Sequence, residues 1–253
     1  MQLNLKDKLR QKELTIGSWL TFSDPAIAEI MAKSGFDWLV IDMEHSALSF
    51  NQAQELIRII DLCNVAPLVR VMENNPNLIK RFMDIGAHGV IVPMVNSKSD
   101  AEKAVNAVKY PPLGARGVGL SRAQKYSLDF NAYFEWNQKH SVVIVQIESI
   151  QAVSNIHEIA NVSGVDGFII GPYDLSGSLG VPGDLSSKKM ASALNKVMKE
   201  TMDLNISRGY HVVSPEINLV KEKIDEGYNF IGFSTDFIFL GESIKNKIKN
   251  LLY

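Results

Sequence analysis

Apolar and polar positions follow two alternating rhythms along this chain. Eight short runs rich in apolar and β-branched residues occupy 15–20, 38–43, 67–71, 89–94, 142–148, 167–174, 210–214 and 230–234. Between them, apolar positions recur at three- and four-residue spacing, which predicts helices over 52–62, 76–85, 98–108, 152–162, 188–206, 217–226 and 238–252. Asp24-Pro25 predicts an N-cap with proline at the first helical position, and Gly35 the stop after Ile27, Ile30 and Met31. Strand followed by helix, eight times, predicts an α/β protein of the (β/α)8, TIM-barrel type, in one domain spanning 1–253. The competing architecture is a doubly wound open sheet. It usually carries fewer strands in this length and a glycine fingerprint after the first, and Gly17-Ser18-Trp19 offers none.

One segment breaks the regularity. Pro111-Pro112-Leu113-Gly114 and the residues to Gly119 must be irregular, and 129–138 predicts an extra helix carrying Phe130, Tyr133, Phe134 and Trp136. Four aromatic rings on one short helix need cover, either from the barrel itself or from a second subunit.

Composition narrows the class. With 46% hydrophobic residues in 253, the chain can bury a large core. The balance of 26 Lys+Arg against 28 Asp+Glu leaves no basic stripe of the kind nucleic-acid binding requires. Residues 1–12 lack the apolar region of a signal peptide, and no stretch approaches the roughly 20 apolar residues of a membrane span. A cytoplasmic protein without nucleic-acid or membrane partners is the expectation. The single cysteine, Cys63, reads as a packed core thiol.

Polar residues gather where the strands should end. Trp19, Asp42, Glu44, His45, Arg70, Gln146, Glu148 and Asp174 would share one rim. Alternation puts Asp42 with Glu44, and Gln146 with Glu148, on the inner face, while Leu39, Ile41 and Met43 point to the helices. Burying an arginine, a histidine and several carboxylates without a ligand or metal is expensive. Glu148 and Asp174 lie 26 residues apart, one strand–helix–strand unit, and so would stand side by side at neighbouring strand ends. No lysine falls in any of the eight runs, so a Schiff-base mechanism lacks a candidate and carbonyl activation would fall to a metal. Oxygen ligands alone favour Mg, Mn or Co over structural zinc. Two carboxylates leave open positions that suit a 2-oxo acid chelating through its carboxylate and keto group.

Several motifs in order strengthen this reading: Gly17-Ser18-Trp19-Leu20, Asp42-Met43-Glu44-His45, Pro67-Leu68-Val69-Arg70-Val71, 86–93, Tyr110-Pro111-Pro112 with Arg116-Gly117, Gln146-Ile147-Glu148 and Gly171-Pro172-Tyr173-Asp174-Leu175. Together they make the chain resemble the HpcH/HpaI aldolase family across nearly its whole length. The resemblance implies a phosphoenolpyruvate/pyruvate-type barrel. Its activity would be that of a metal-dependent class II aldolase, cleaving a 4-hydroxy-2-oxo acid (a 3-deoxy sugar acid or hydroxylated dicarboxylate) to pyruvate and an aldehyde. It assigns Glu148 and Asp174 to the metal, and Arg70 to the keto or enolate oxygen. Gln146 and the backbone of Gly171, Pro172 and Tyr173 fall to pyruvate, and His45, oriented by Asp42, to acid/base work. Glu44 and Trp19 line the site. It also implies a homo-oligomer, a hexamer, with helix 237–252 packed on a neighbour. Ser46-Ala47-Leu48 and Asp184-Leu185-Ser186-Ser187 depart from the best-known members, which bears on the aldehyde half. The alternatives are an acyl-CoA lyase of the same superfamily and a non-catalytic barrel serving as a binding protein.

Overall fold

A computed structural model describes residues 4–252. Eight parallel strands close into a barrel in sequence order: β1 Thr15–Leu20, β2 Trp38–Asp42, β3 Ala66–Arg70, β4 Gly89–Val92, β5 Val142–Ile147, β6 Gly167–Ile170, β7 Ser207–Val212 and β8 Phe230–Thr235. The helices are α1 Leu5–Arg10, α2 Pro25–Ala32, α3 Phe50–Leu62, α4 Pro76–Asp84, α5 Lys98–Val108, α6 Phe130–His140, α7 Ile150–Ser154, α8 Ile156–Ala160, α9 Pro172–Ser178, α10 Lys188–Glu200, α11 Ile217–Asp225 and α12 Asp236–Leu252. Their starts follow local chemistry. Asp24, Asn75, Ser97 and Ser187 each accept a backbone N–H as N-caps, Pro25 and Pro76 sit in first turns, and Ser49 with Gln52 forms a capping box. Gly35 ends the α2 segment at φ +98, which a Cβ would resist.

Alternation along the strands sorts the core into two shells. Leu39, Ile41, Met43, Val69, Val90, Val143, Val145, Phe168 and Ile170 pack outward under the helices. Trp19, Trp38, Val40, Leu68, Ile91, Ile144, Ile169 and Phe230 fill the interior. Gly17 and Gly232 make room for the indoles, since a Cβ at either would stand 2.0 Å from Trp38 or 2.3 Å from Trp19. Leu5 and Leu9 of α1 join the interior shell from the amino-terminal end. Lys6 fastens that helix through Asp166, at 2.8 Å, and the Ser141 carbonyl.

Four segments differ from the sequence expectation. The run 167–174 leaves the sheet at Ile170, because Gly171-Pro172 starts α9, and Asp174 stands in a first helical turn. The seventh strand begins at Ser207 rather than 210, since polar Ser207 and Arg208 hide its start. Helix 152–162 is two short helices broken at Asn155, whose side chain donates to the Asn96 carbonyl. Helix 188–206 stops at Glu200, where the Thr201 hydroxyl turns back to the Val197 carbonyl. The four rings of α6 turn toward their own barrel. Tyr133 donates to the Met83 carbonyl, Phe134 stacks on Tyr110 at 5.8 Å, and Trp136 lies 4.9 Å from His88. Cys63 is half-buried against the core at the end of α3. Among the described residues no helix is long and apolar enough to cross a membrane.

Candidate active site at the carboxyl rim

The last residues of β2 and β3 pair in register, Asp42 opposite Arg70, and so bring their buried side chains together. Arg70 Nε donates to Asp42 Oδ1 at 3.0 Å and Nη2 to Oδ2 at 2.6 Å. Glu44 Oε2 lies 3.4 Å from the same Nε without a hydrogen bond of good geometry. Burial works against both charges of the main pair, but their mutual hydrogen bonds and attraction outweigh it. Asp42 is held below the ordinary carboxylate range and Arg70 above its usual value. Glu44, which lacks such bonds, is pushed by burial and by the Glu148 charge up to about 7, although Arg70 opposes the shift.

Across the rim, Glu148 follows directly on β5 and is buried. Oε1 accepts the Met94 backbone N–H at 2.6 Å, and Oε2 accepts from the Gln146 amide. Met94 holds φ +53, an unfavourable region for a residue with a Cβ, in presenting that N–H. Burial raises the Glu148 pKa, Met94 and Gln146 pull it back, and the Asp174 charge raises it further. Gly171 completes the cradle: a Cβ there would stand 3.0 Å from Gln146 Nε2 and 3.1 Å from Glu148 Oε2.

A cavity of about 140 Å³ opens between these groups. Trp19, Arg70, Gln146, Gly171, Pro172, Tyr173 and Asp174 line it, so seven of the residues expected from sequence converge there. Asp42 and Glu44 stand behind Arg70, and Glu148 behind Gln146. His45 is different. Its side chain is 62% exposed, and Nε2 is 3.8 Å from Glu44 Oε2. The expected orientation of its ring by Asp42 is absent. Asp42 Oδ1 accepts the backbone N–H groups of Glu44 and His45 instead, at 3.1 and 3.2 Å, because a carboxylate at a strand end readily caps the turn that follows.

His211 was hidden from the sequence pattern. It lines the cavity, stacked on Trp19 with ring centroids 4.0 Å apart, and burial together with the Arg70 charge pushes its pKa down to about 4. Counting alternate positions from Ser207 would have turned it inward. Asp236, which directly follows β8, accepts hydrogen bonds from the Thr21 hydroxyl and from the N–H groups of Thr21 and Phe22.

The fit of the site to a divalent ion rests on its donors. Glu148 and Asp174 repel each other, and oxygens are the only ligands they offer, which suits a hard cation. Among the described residues no three His, Cys, Asp or Glu side chains cluster as a metal site, so the chain would contribute two carboxylates and leave positions open.

A closed eight-stranded barrel with its polar, cavity-lining cluster at the carboxyl rim defines the class of (β/α)8 enzymes. Comparison with known proteins narrows it: residues 15–240 match the HpcH/HpaI aldolase/citrate lyase family, and the chain belongs to that family. It is 32% identical over 245 residues to the 2-keto-3-deoxy-L-rhamnonate aldolase of Escherichia coli K12, covering 96% of this chain and 91% of that one. A crystal structure of an HpcH/HpaI aldolase/citrate lyase family protein from Burkholderia cenocepacia is 30% identical, with TM-score 0.93 over 99% of this chain and 100% of the other. The citrate synthase SbnG is 27% identical, with TM-score 0.87 over 98% of this chain and 97% of its own. The protein is a carbon–carbon lyase of the aldolase kind.

Proposed function

We propose that this chain is a divalent-metal-dependent aldolase that cleaves a 3-deoxy sugar acid, a 4-hydroxy-2-oxo acid, reversibly to pyruvate and an aldehyde. The observation that carries the reading is one small cavity bounded by a guanidinium, an amide and a carboxylate, with a second carboxylate behind the amide. These are Arg70, Gln146, Asp174 and Glu148. The sugar-acid choice draws on the 2-keto-3-deoxy-L-rhamnonate aldolase likeness.

Glu148 and Asp174 would hold the ion, which when bound supplies Lewis-acid polarisation of a substrate oxygen. Mg and Mn suit the all-oxygen set, and Co is the borderline choice. Arg70 is preorganised by Asp42, and its Nη1, without a hydrogen-bond partner among the described residues, donates to the keto oxygen as negative charge develops there. Gln146 and the backbone at Gly171, Pro172 and Tyr173 seat the 2-oxo acid, and Trp19 walls it off from water. His45, exposed at the rim, exchanges the proton of the C4 hydroxyl through water, with Glu44 beside it.

A homo-oligomer, a hexamer, accompanies this reading. Along α12, Phe237, Leu240, Ile244, Ile248 and Leu251 recur at three- and four-residue spacing and are all about half exposed or more. A neighbouring subunit would cover that stripe, which sedimentation of the protein and of an Ile244→Glu variant would reveal. The catalytic reading is tested by pyruvate release from a panel of 4-hydroxy-2-oxo acids with Mg, Mn and Co supplied in turn. Absence of release with every pairing overturns it.

A further inference from the structure

His211 is the one histidine within a strand, and the bonds around it leave little freedom. Its Nε2 stands 3.4 Å from the Ser234 carbonyl, which also accepts the Ser18 hydroxyl at 3.2 Å. The Ser234 hydroxyl in turn donates to the Val213 carbonyl at 3.0 Å. Ser234 is fully buried at φ +54, a conformation that a residue with a Cβ keeps only when its surroundings impose it. This knot joins β1, β7 and β8 and fixes the imidazole tautomer. A carbonyl can only accept, so Nε2 carries the hydrogen and Nδ1 is left as the acceptor. Nδ1 has no hydrogen-bond partner among the described residues, and the ring lines the cavity beside Arg70. Burial and the Arg70 charge keep the ring neutral at pH 7.

We propose that His211 is a specificity-determining residue whose Nδ1 accepts a hydrogen bond from a substrate hydroxyl beyond C4. The inference rests on the aldolase reading above and deepens it. A pyruvate unit carries a carboxylate, a keto oxygen and a methyl group but no O–H, so an acceptor nitrogen finds no partner on that half. The C4 hydroxyl must give up its proton during cleavage, and an imidazole of such low basicity does not take it. The donor therefore comes from hydroxyls farther along the aldehyde half. Charge points the same way. Arg70 is the only cationic side chain lining the cavity and is already engaged by Asp42 and by the keto oxygen, so the chain offers a distal carboxylate no counter-charge of its own. The site takes a neutral polyhydroxy chain in preference to a hydroxylated dicarboxylate.

The test compares kcat/KM for a 3-deoxy sugar acid bearing hydroxyls from C4 to C6 with that for a 4-hydroxy-2-oxo acid of the same length and an alkyl tail. Wild-type enzyme favours the polyol by about tenfold or more, the worth of one well-made hydrogen bond. His211→Phe keeps a flat ring on Trp19 without an acceptor and brings the two rates within about twofold, while His211→Asn retains part of the preference. Cleavage of the alkyl-tailed substrate and exchange of pyruvate methyl protons in heavy water, which involve no distal hydroxyl, fall less than polyol cleavage in both, and loss of the Nε2 bond to Ser234 lowers the melting temperature only modestly. A wild-type preference surviving in His211→Phe overturns the proposal, as does a parallel loss of both cleavage rates, proton exchange and melting temperature. If that variant does not fold, His211→Leu is read by the same criteria. Wild-type enzyme that neither cleaves the pair nor exchanges pyruvate protons overturns the aldolase reading itself, a result distinct from a failure of His211 alone.

Discussion

Asp42 grips Arg70 through two parallel hydrogen bonds, Nε to Oδ1 at 3.0 Å and Nη2 to Oδ2 at 2.6 Å, and both side chains are buried. This fork fixes the plane of the guanidinium, which a lysine ammonium cannot reproduce. Arg70→Lys should therefore lower cleavage by about 10²- to 10³-fold, the usual cost of losing a preorganised donor to a developing oxyanion. Asp42→Asn should lose activity in the same direction and also about 3 kcal/mol of stability, because it leaves a buried cation half-paired. Steady-state rates and urea unfolding of the two variants check the pair, and near-normal pyruvate proton exchange in Arg70→Lys would refute the assignment.

Glu148 and Asp174 carry a prediction that does not depend on turnover. If the two hold a divalent ion, adding Mg or Mn to metal-stripped protein raises the melting temperature by mass action on the folded state. Glu148→Gln and Asp174→Asn should each abolish that shift and the metal-dependent activity, while circular dichroism stays native. Asp174 is exposed and Glu148 buried. Asp174→Asn should therefore fold with wild-type stability in the absence of metal. Glu148→Gln loses the bond from Met94, or weakens it, and shows a modest loss.

Much of this architecture was legible because buried parallel strands are written as continuous apolar runs. β2 from Trp38 to Ile41 and β5 from Val142 to Val145 are apolar on both faces, and the pattern finds these strands to within a residue or two. The pattern failed where polar side chains face inward. β7 reads Ser-Arg-Gly-Tyr-His-Val, so its start at Ser207 was missed, and His211, although inside the expected run, was not assigned to the site. Helix α1 is only six residues long and is held by Lys6 to Asp166 and by Leu5 and Leu9 in the interior, all contacts with residues distant in sequence. In the site, residue types and rim positions were readable, but pairings were not. Asp42 faces both Arg70 and the turn at His45, and only the register of β2 against β3 chooses between the arginine and the imidazole.

The exposure of His45 separates its role from that of Arg70. If it exchanges the C4 hydroxyl proton through water, His45→Ala should lose aldol cleavage by roughly 10²- to 10⁴-fold. Pyruvate proton exchange should fall far less, since no C4 hydroxyl takes part in it. A residue that merely braced the 43–49 turn would lower both rates together with the melting temperature. The turn is already capped by Asp42 through backbone N–H groups that an alanine retains, so unchanged thermal stability is the expected outcome.

Far from the rim, Lys109 makes stability depend on pH. Its ammonium is buried and donates to the carbonyls of Asn137, Gln138 and Ser141 at 2.8, 3.2 and 3.2 Å. Burial lowers its pKa, the nearby Lys6 charge lowers it further, and Asp166 only partly compensates, leaving it at about 7. The unfolded chain returns Lys109 to its ordinary value of about 10.4. Between these limits the unfolded state binds the extra proton, so stability rises with pH from about 7 toward 10, by up to about 1.4 kcal/mol per pH unit from this group. Below pH 7 both states are protonated and the full cost of the buried charge is present. Lys109→Met removes the titration but strands three carbonyls, so it should be less stable overall and show a flatter rise over that window. Urea unfolding of both proteins at intervals from pH 7 to 10 measures the two slopes. An equally steep rise in the variant would show that another group is responsible.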